Sequence, residues 1–159
     1  MARRRVRETD SAEIKPLLQI AYSGQEWTDA DVASRLREEG IHSFDSTRRA
    51  YCHLTFPVRT KPLGPVPVGP CTQIATHIPQ HHDQKWVDDV MAPLLALALR
   101  ELEKDRPDLV ERPLYCYLPP DLYPFWTDII PVEIVPRSTG SHLAWLPTVE
   151  FAIRRLARF

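Results

Sequence analysis

The chain has 159 residues, 43% of them hydrophobic, and its formal net charge is −1. This length and apolar content predict one folded domain over residues 1–159 and argue against a disordered chain. A net charge this close to zero gives no general attraction to nucleic acid or to acidic membranes, so we expect neither as a partner. The sequence has no apolar run near the ~20 residues of a membrane span, and its start lacks the apolar region of a signal peptide.

The positions of the cysteine and arginine residues indicate the cellular compartment and the possible partners. The three cysteines are odd in number and far apart in sequence, at Cys52, Cys71 and Cys116. This pattern predicts reduced, buried thiols and a cytoplasmic location, alone or within a particle assembled there. Arginines cluster at both ends of the chain, at Arg3, Arg4, Arg5, Arg7, Arg154, Arg155 and Arg158. They could contact an acidic partner in a larger assembly, or they could be solvated termini.

The first elements in chain order are a strand and two helices. Residues 3–9 are predicted to form a short strand. Asp10 and Glu13 have the spacing of a capping box, and apolar residues then recur at helical spacing over 14–21. A second helix is predicted over residues 28–40, beginning at a threonine and ending at a glycine.

The middle of the chain combines strands with one long helix. A short strand around 42–44 and alternating apolar residues over 49–58 and 71–78 predict three strands, with a proline-rich loop before the third. The helix predicted over 84–104 carries a wide apolar stripe, which is typical of a helix packed on a sheet. Pro93 lies inside this helix and is expected to kink it or to mark a restart.

The last third of the chain predicts a strand over 114–118, a short helix over 121–128, a hairpin of strands over 132–135 and 142–146, and a helix over 148–159. Hairpins and strand–helix–strand crossovers thus occur in one chain. This order predicts an α/β fold with a mixed central sheet flanked by helices, and with an extra C-terminal helix.

Three segments carry a resemblance to a known family. The opening VRETDSAEIKPLLQIAY resembles the first strand and helix of GNAT N-acetyltransferases. The segment IATHIPQHHDQKWVDDVMAPLLALAL resembles their central strand, cofactor loop and long helix, and FWTDIIPVEIVPRSTGSHLAWL resembles their closing helix and strands. The resemblance covers most of residues 3–147, implies a GNAT-like fold with 148–159 as an appended helix, and implies binding of acetyl-CoA or another acyl-CoA.

The resemblance also implies where acyl-CoA would lie. The strand backbone at Thr76, His77 and Ile78 would hold the acyl group. The segment that would surround the pyrophosphate contains Gln80, His81, His82, Gln84, Lys85 and Trp86. The family uses glycines there because the backbone must approach the phosphates closely. In this chain Trp86 and Asp88 take the glycine positions, and neither side chain suits a pyrophosphate.

A second departure concerns the proton donor. Many family members have a tyrosine that protonates the leaving thiolate, and Trp126 takes that position here. An indole N–H is not a useful acid, so Tyr123 is the candidate substitute. We expect most aromatic residues of the second half to lie in the core, in a pocket wall or on a partner surface: Tyr115, Tyr117, Tyr123, Phe125, Trp126 and Trp145.

Other chemistry has weaker support. The densest group of possible metal ligands is His77, His81, His82 and Asp83. Their spacing matches no standard zinc site, so we predict no metal, although His81 or His82 could act as a base on an amine. Cys52 and His53 are adjacent, but neighbours on a strand point to opposite faces and cannot pair as nucleophile and base.

Two functions therefore stay open. The first is a degenerate GNAT-like domain that serves as a non-catalytic binding or structural subunit of a larger assembly, such as a virion or multiprotein complex, and needs no cofactor. The alternative is an atypical acyl-CoA-dependent N-acyltransferase that acts on an amine. An enzyme needs an open V-shaped cleft between the central strands, whereas a structural subunit should have that cleft filled, for example by Trp86 or Trp126.

Overall fold

The computed structural model describes residues 3–22, 24–77, 83–138 and 140–159. In these residues the strands are β1 Arg3–Arg5, β2 Ile41–Asp45, β3 Ala50–Thr55, β4 Val58–Arg59, β5 Gly69–Pro70, β6 Thr72–His77, β7 Leu114–Leu118, β8 Glu133–Val135 and β9 His142–Leu146. The helices are α1 Ser11–Ala21, α2 Asp29–Arg37, α3 Gln84–Trp86, α4 Ala92–Asp105 and α5 Val149–Arg155.

Seven strands form one mixed sheet in the order β1-β2-β3-β6-β7-β9-β8, and β4 and β5 form a separate two-stranded ribbon. Every neighbouring pair of the large sheet is antiparallel except β6 and β7, which run parallel. Helices α1 and α2 cover one face, and α4 and α5 cover the other. The predicted mixed sheet flanked by helices, with an added C-terminal helix, is therefore confirmed.

The two N-terminal helices begin differently. Helix α2 has the predicted start, because Thr28 Oγ1 accepts from the Asp31 N–H at 3.1 Å and Asp31 Oδ2 accepts from the Thr28 N–H at 2.9 Å. The predicted capping pair of Asp10 and Glu13 is wrong. Asp10 instead accepts two bonds from the Arg4 guanidinium, at 2.6 and 2.8 Å, and one from the Arg7 N–H at 2.7 Å.

These bonds to Asp10 pull the chain into a 3₁₀ turn at Glu8–Asp10, so β1 ends at Arg5 and is shorter than the predicted strand over 3–9. The short bidentate contact holds the pKa of Asp10 below its usual range, mainly through the Arg4 hydrogen bond.

The long helix accommodates Pro93 by widening. Between α3 and α4, Val87–Met91 form a π turn, in which the Ala92 N–H donates to the carbonyl of Val87. Proline has no N–H, and in a regular α-helix its ring would clash with the carbonyl four residues earlier. The widened turn removes that clash, and the regular α-helix restarts at Ala92, next to Pro93. The helix still buries an apolar stripe that includes Val90, Leu94 and Leu99.

The two faces of the sheet have different cores. The face under α4 and α5 is apolar and includes Cys52, and the face under α1 and α2 includes Phe44 and Tyr51. Cys52 and His53 are both buried and pair with Thr76 and Ala75 of β6, so they point to opposite faces as predicted.

A polar network is buried on the α1 side. His42 Nε2 lies 2.9 Å from the Glu38 carbonyl and donates to it, so Nδ1 accepts from the Tyr51 hydroxyl at 2.6 Å. The His42 ring also stacks on His53 with centroids 3.9 Å apart. Burial lowers the pKa of His42, which keeps the imidazole neutral near pH 7.

Candidate functional site

The central strands separate into a cleft. β6 and β7 pair only at Thr72 with Leu114 and at Gln73 with Tyr115, after which the two parallel strands diverge. The gap between them opens a cavity of about 460 Å³. Its wall includes residues of both strands, of the segment before β8, of β9 and of three helices. The V-shaped cleft that an enzyme would need is therefore open.

Backbone polarity is available at this cleft. The Thr72 N–H points toward β7 and donates to the Pro113 carbonyl at 3.0 Å. Backbone direction alternates along a strand, so the Thr76 N–H points to the same side as that of Thr72. The register with β7 has ended by then, so no described residue of β7 is paired opposite Thr76. This amide faces the cleft, where it can donate to a ligand carbonyl.

The two ends of the cleft differ in chemistry. On the α1 side its lining includes the phenols of Tyr22 and Tyr117 and the Gln73 amide, whose oxygen accepts from the Tyr115 hydroxyl at 3.1 Å. We call this end the mouth. On the opposite side the lining includes five buried apolar residues, and we call this set the floor: Leu95, Leu114, Ile130, Ala144 and Ala152. Each floor residue is at most 4% exposed, so water scarcely reaches it.

Where the long helix begins, the chain caps itself. Asp83 Oδ1 accepts from the Trp86 N–H at 2.8 Å. Asp88 and Asp89 follow within three residues of Trp86, and Lys85 lies 2.6 Å from Asp89, which holds the pKa of Asp89 below its usual range. A helix N-terminus favours one anion. Here the chain supplies that anion, and two further carboxylates lie beside it with one lysine.

Solved structures of acetyltransferases share this arrangement of elements. A GNAT-family acetyltransferase from Streptococcus pneumoniae matches with a TM-score of 0.57 and 12% identity, over 90% of this chain and 95% of that chain. An N-acetyltransferase from Staphylococcus aureus Mu50 gives 0.58 and 13%, over 92% and 96%. The chain has the GNAT fold. FdhC, a nucleotide-linked sugar GNAT, also matches with a TM-score of 0.60 and 12% identity, over 98% of this chain and 91% of FdhC.

These structural matches establish the GNAT fold and leave the activity open. No protein-family model matches the sequence, and the comparison with curated proteins gives no match. Among the described residues, none of the helices combines the length and apolar character needed to cross a bilayer.

Of the residues that the GNAT resemblance assigned to acyl-CoA, the structure places some at the cleft and others at the helix start. Thr76 lines the cleft, and the His77 backbone continues β6 beside it. Gln84 and Lys85 are exposed at the helix start, where Gln84 Nε2 donates to Asp88 Oδ1 and to the Phe125 carbonyl, both at 3.0 Å. The other predicted positions, Ile78, Gln80, His81 and His82, lie outside the described residues.

The two tryptophans that could have filled the cleft do not fill it. Trp86 is half-buried against the apolar core and is not part of the cleft wall. Trp126 forms one part of that wall and leaves the cavity open.

Two tyrosines near the cleft are candidates for the proton donor. Tyr123 lies in the 3₁₀ turn Tyr123–Phe125, is 37% exposed and is absent from the cleft wall. Tyr117 of β7 does line the cleft, with the Arg137 guanidinium 4.9 Å from its ring centroid. The alternation of Tyr115 and Tyr117 along one strand was the available signal, because it places both rings on one face.

Cysteine and metal chemistry find little support in the described residues. Cys116 lines the cleft, but burial raises its pKa to about 12, as it does for Cys52, so neither thiol is a ready nucleophile. All three cysteines are free. Within the described ranges no three histidine, cysteine or acidic side chains gather as a metal site, and the alternative that involves His81 and His82 falls outside those ranges.

Proposed function

We propose that this chain is an atypical N-acyltransferase that binds an acyl thioester between β6 and β7 and transfers the acyl group to an amine. The observation that carries the proposal is the open cleft. Its mouth is polar, its floor is apolar, and the Thr76 amide faces the gap between the strands. A filled cleft would have removed the space that the thioester requires.

Each part of the cleft has a role in this reaction. The Thr76 N–H donates to the thioester carbonyl oxygen and stabilises the negative charge that forms there when the amine nitrogen attacks the carbonyl carbon. The C–S bond then breaks, and the Tyr117 hydroxyl gives its proton to the leaving thiolate. The new amide nitrogen loses one proton, which returns through water to Tyr117. The products are an amide and a free thiol.

An acyl-CoA donor fits the cleft better than it fits the helix start. The acyl and pantetheine portions of acyl-CoA are largely uncharged or apolar, which suits the cleft. The pyrophosphate would meet the carboxylates of Asp83, Asp88 and Asp89 at the helix start. We therefore assign the recognition of the donor to the cleft, and we assign no pyrophosphate anchor to the helix start.

A non-catalytic binding or structural subunit is the second candidate, and the capped helix start favours it. Within the described residues, the wall of the cleft contains no carboxylate. The arginines of β1 already form ion pairs within the chain, since Arg4 contacts Asp10 and Arg5 contacts Asp105 at 2.9 Å. In this alternative an acidic partner would meet the remaining arginines, and the free cysteines accord with the proposed cytoplasmic setting.

Calorimetry and thermal shift with a series of acyl-CoA thioesters separate these candidates. The acyltransferase proposal predicts micromolar binding, a raised melting temperature and thiol release that depends on an added amine. If no acyl-CoA of any chain length binds at millimolar concentration, the enzyme proposal fails and the subunit candidate stands.

A further inference from the structure

We infer that the amine acceptor carries an anionic group, a carboxylate or a phosphate, and that the guanidinium of Arg137 binds this group beside the mouth of the cleft. This inference rests on the proposed function and names its acceptor class. The mouth is the accessible end, because Tyr22 is 38% exposed and Tyr117 is 40% exposed, and both line the cleft. The floor residues are at most 4% exposed, so an acceptor from solvent reaches the cleft on the side of the two tyrosines.

An available cation lies beside this entrance. The Arg137 guanidinium lies over the Tyr117 ring, 4.9 Å from its centroid. Arg137 is exposed and follows the last residue of β8 by two positions. Within the described ranges its side chain forms neither an ion pair nor a hydrogen bond. A guanidinium over an aromatic face keeps N–H groups at its edge, and these can donate two parallel hydrogen bonds to a carboxylate or a phosphate.

Arg35 shows how an arginine over the second tyrosine of the mouth differs. Its guanidinium lies 5.3 Å from the Tyr22 ring centroid and 5.6 Å from that of Trp27. The Arg35 side chain is only 20% exposed, and its Nε lies 3.8 Å from a carboxylate oxygen of Glu38. Arg35 therefore already has a counterion within the chain, whereas Arg137 has none in the described part of it.

The charges at the cleft favour an acceptor with an anionic group over a polycationic one. The described residues of the wall include no carboxylate, and the residues outside the described ranges include no aspartate or glutamate. A polyamine or a lysine-rich peptide would bring further positive charge toward Arg137, and no carboxylate of the wall would offset it. An amine that also carries a carboxylate or a phosphate would instead pair that anion with the guanidinium.

The test measures the binding of acetylated amines, which are products of the proposed transfer, to the full chain by calorimetry. Each anionic product is compared with a neutral one: N-acetylphenylalanine with its carboxamide, and N-acetylphosphoethanolamine with N-acetylethanolamine. We expect the anionic member of at least one pair to bind about 10-fold more tightly. Arg137→Gln should reduce this preference to within about twofold. Arg137→Lys keeps the charge without the planar fork and should retain part of the preference.

The matched control is Arg158→Gln. Arg158 is also exposed, and its guanidinium lies 4.9 Å from the ring centroid of Phe159, which does not line the cleft. This variant should keep the wild-type preference. Equal affinity within both pairs, or a preference that Arg137→Gln leaves unchanged, would overturn the inference. Binding of acyl-CoA without binding of any acetylated product would overturn the inference alone. Failure of every acyl-CoA and every product to bind would instead overturn the proposed function.

Discussion

The cleft and the start of the long helix lie at neighbouring points of one fold, and they differ in readiness for a ligand. The cleft is open because β6 and β7 share only two register pairs. At the helix start, Asp83 accepts from the Trp86 N–H, and Asp88 and Asp89 add negative charge. An acyl chain would thus meet an apolar floor in the cleft, whereas a pyrophosphate would meet carboxylates at the helix start. Under the proposed function, the cleft holds the acyl group, while Asp83, Asp88 and Asp89 place negative charge at the helix start.

The largest expected effect concerns the reactivity of the Cys116 thiol in the cleft wall. Burial raises the pKa of Cys116 to about 12, so at pH 8 its reaction with iodoacetamide should be slower than that of a free cysteine by on the order of 10³-fold. Mass spectrometry after timed labelling measures this rate, with urea-unfolded protein as the reference. Rapid labelling of Cys116 in the folded chain would mean that burial does not raise the pKa of this thiol in solution.

The mouth of the cleft gives the next largest effect. Tyr117→Phe removes the proposed proton donor and should lower kcat by about 100-fold with little change in KM. The matched control is Tyr123→Phe, which alters the tyrosine that the sequence favoured and should leave kcat unchanged. The opposite result, with Tyr123 required and Tyr117 dispensable, would restore the assignment made from the sequence.

The helix start should respond to charge. Asp83→Asn keeps a side chain that can cap the helix and removes one negative charge. We expect acyl-CoA to bind about 3- to 10-fold more tightly at low salt, with the gain shrinking as ionic strength rises. Binding of an S-acyl-pantetheine, which lacks the nucleotide, should not change.

Asp83→Ala is the companion variant, since it removes both charge and cap and should cost about 1 kcal/mol of stability. An unchanged affinity for acyl-CoA in both variants would show that the nucleotide does not approach the helix start.

The smallest expected effect concerns His42 of β2, which serves as a reference away from the cleft. His42 is buried with a lowered pKa, so the unfolded chain binds more protons than the folded one below about pH 6.5. Its contribution to stability is present above that pH and is lost as pH falls toward the folded-state pKa. His42→Gln should flatten this slope in urea titrations between pH 5 and 7, while His142→Gln on β9 should keep it. If the His42→Gln slope equals that of the wild type, the acid sensitivity arises elsewhere.

Local sequence patterns predicted the helices and strands, whereas contacts between residues far apart in the sequence determine the geometry of the candidate site. Thr28 and Asp31 sit three residues apart, so their mutual capping is visible in the sequence. Asp10 looked equivalent, but Arg4 reaches it from β1, and that contact depends on where the strand ends. A spacing rule cannot register such a competing partner, which is why one cap was predicted correctly and the other was not.

The cleft was beyond sequence reasoning for a similar reason. The strands 71–78 and 114–118 were predicted, but the number of residue pairs they share depends on the three-dimensional twist of the sheet. The sequence left open whether Trp86 or Trp126 fills the cleft; in the structure Trp86 packs on the core and Trp126 forms one wall. No sequence feature marked floor residues such as Ala152 as part of a cleft, since an alanine in an apolar helix is typical of the core.

The central claim is that the cleft, and not the helix start, carries ligand binding. Calorimetry with hexanoyl-CoA, S-hexanoyl-pantetheine and CoA tests it most directly. The account predicts that the acyl-pantetheine binds within about threefold of the acyl-CoA, and that CoA without an acyl group binds at least about 30-fold more weakly. CoA binding as tightly as hexanoyl-CoA, together with no binding of the acyl-pantetheine, would contradict the claim and place recognition at the nucleotide.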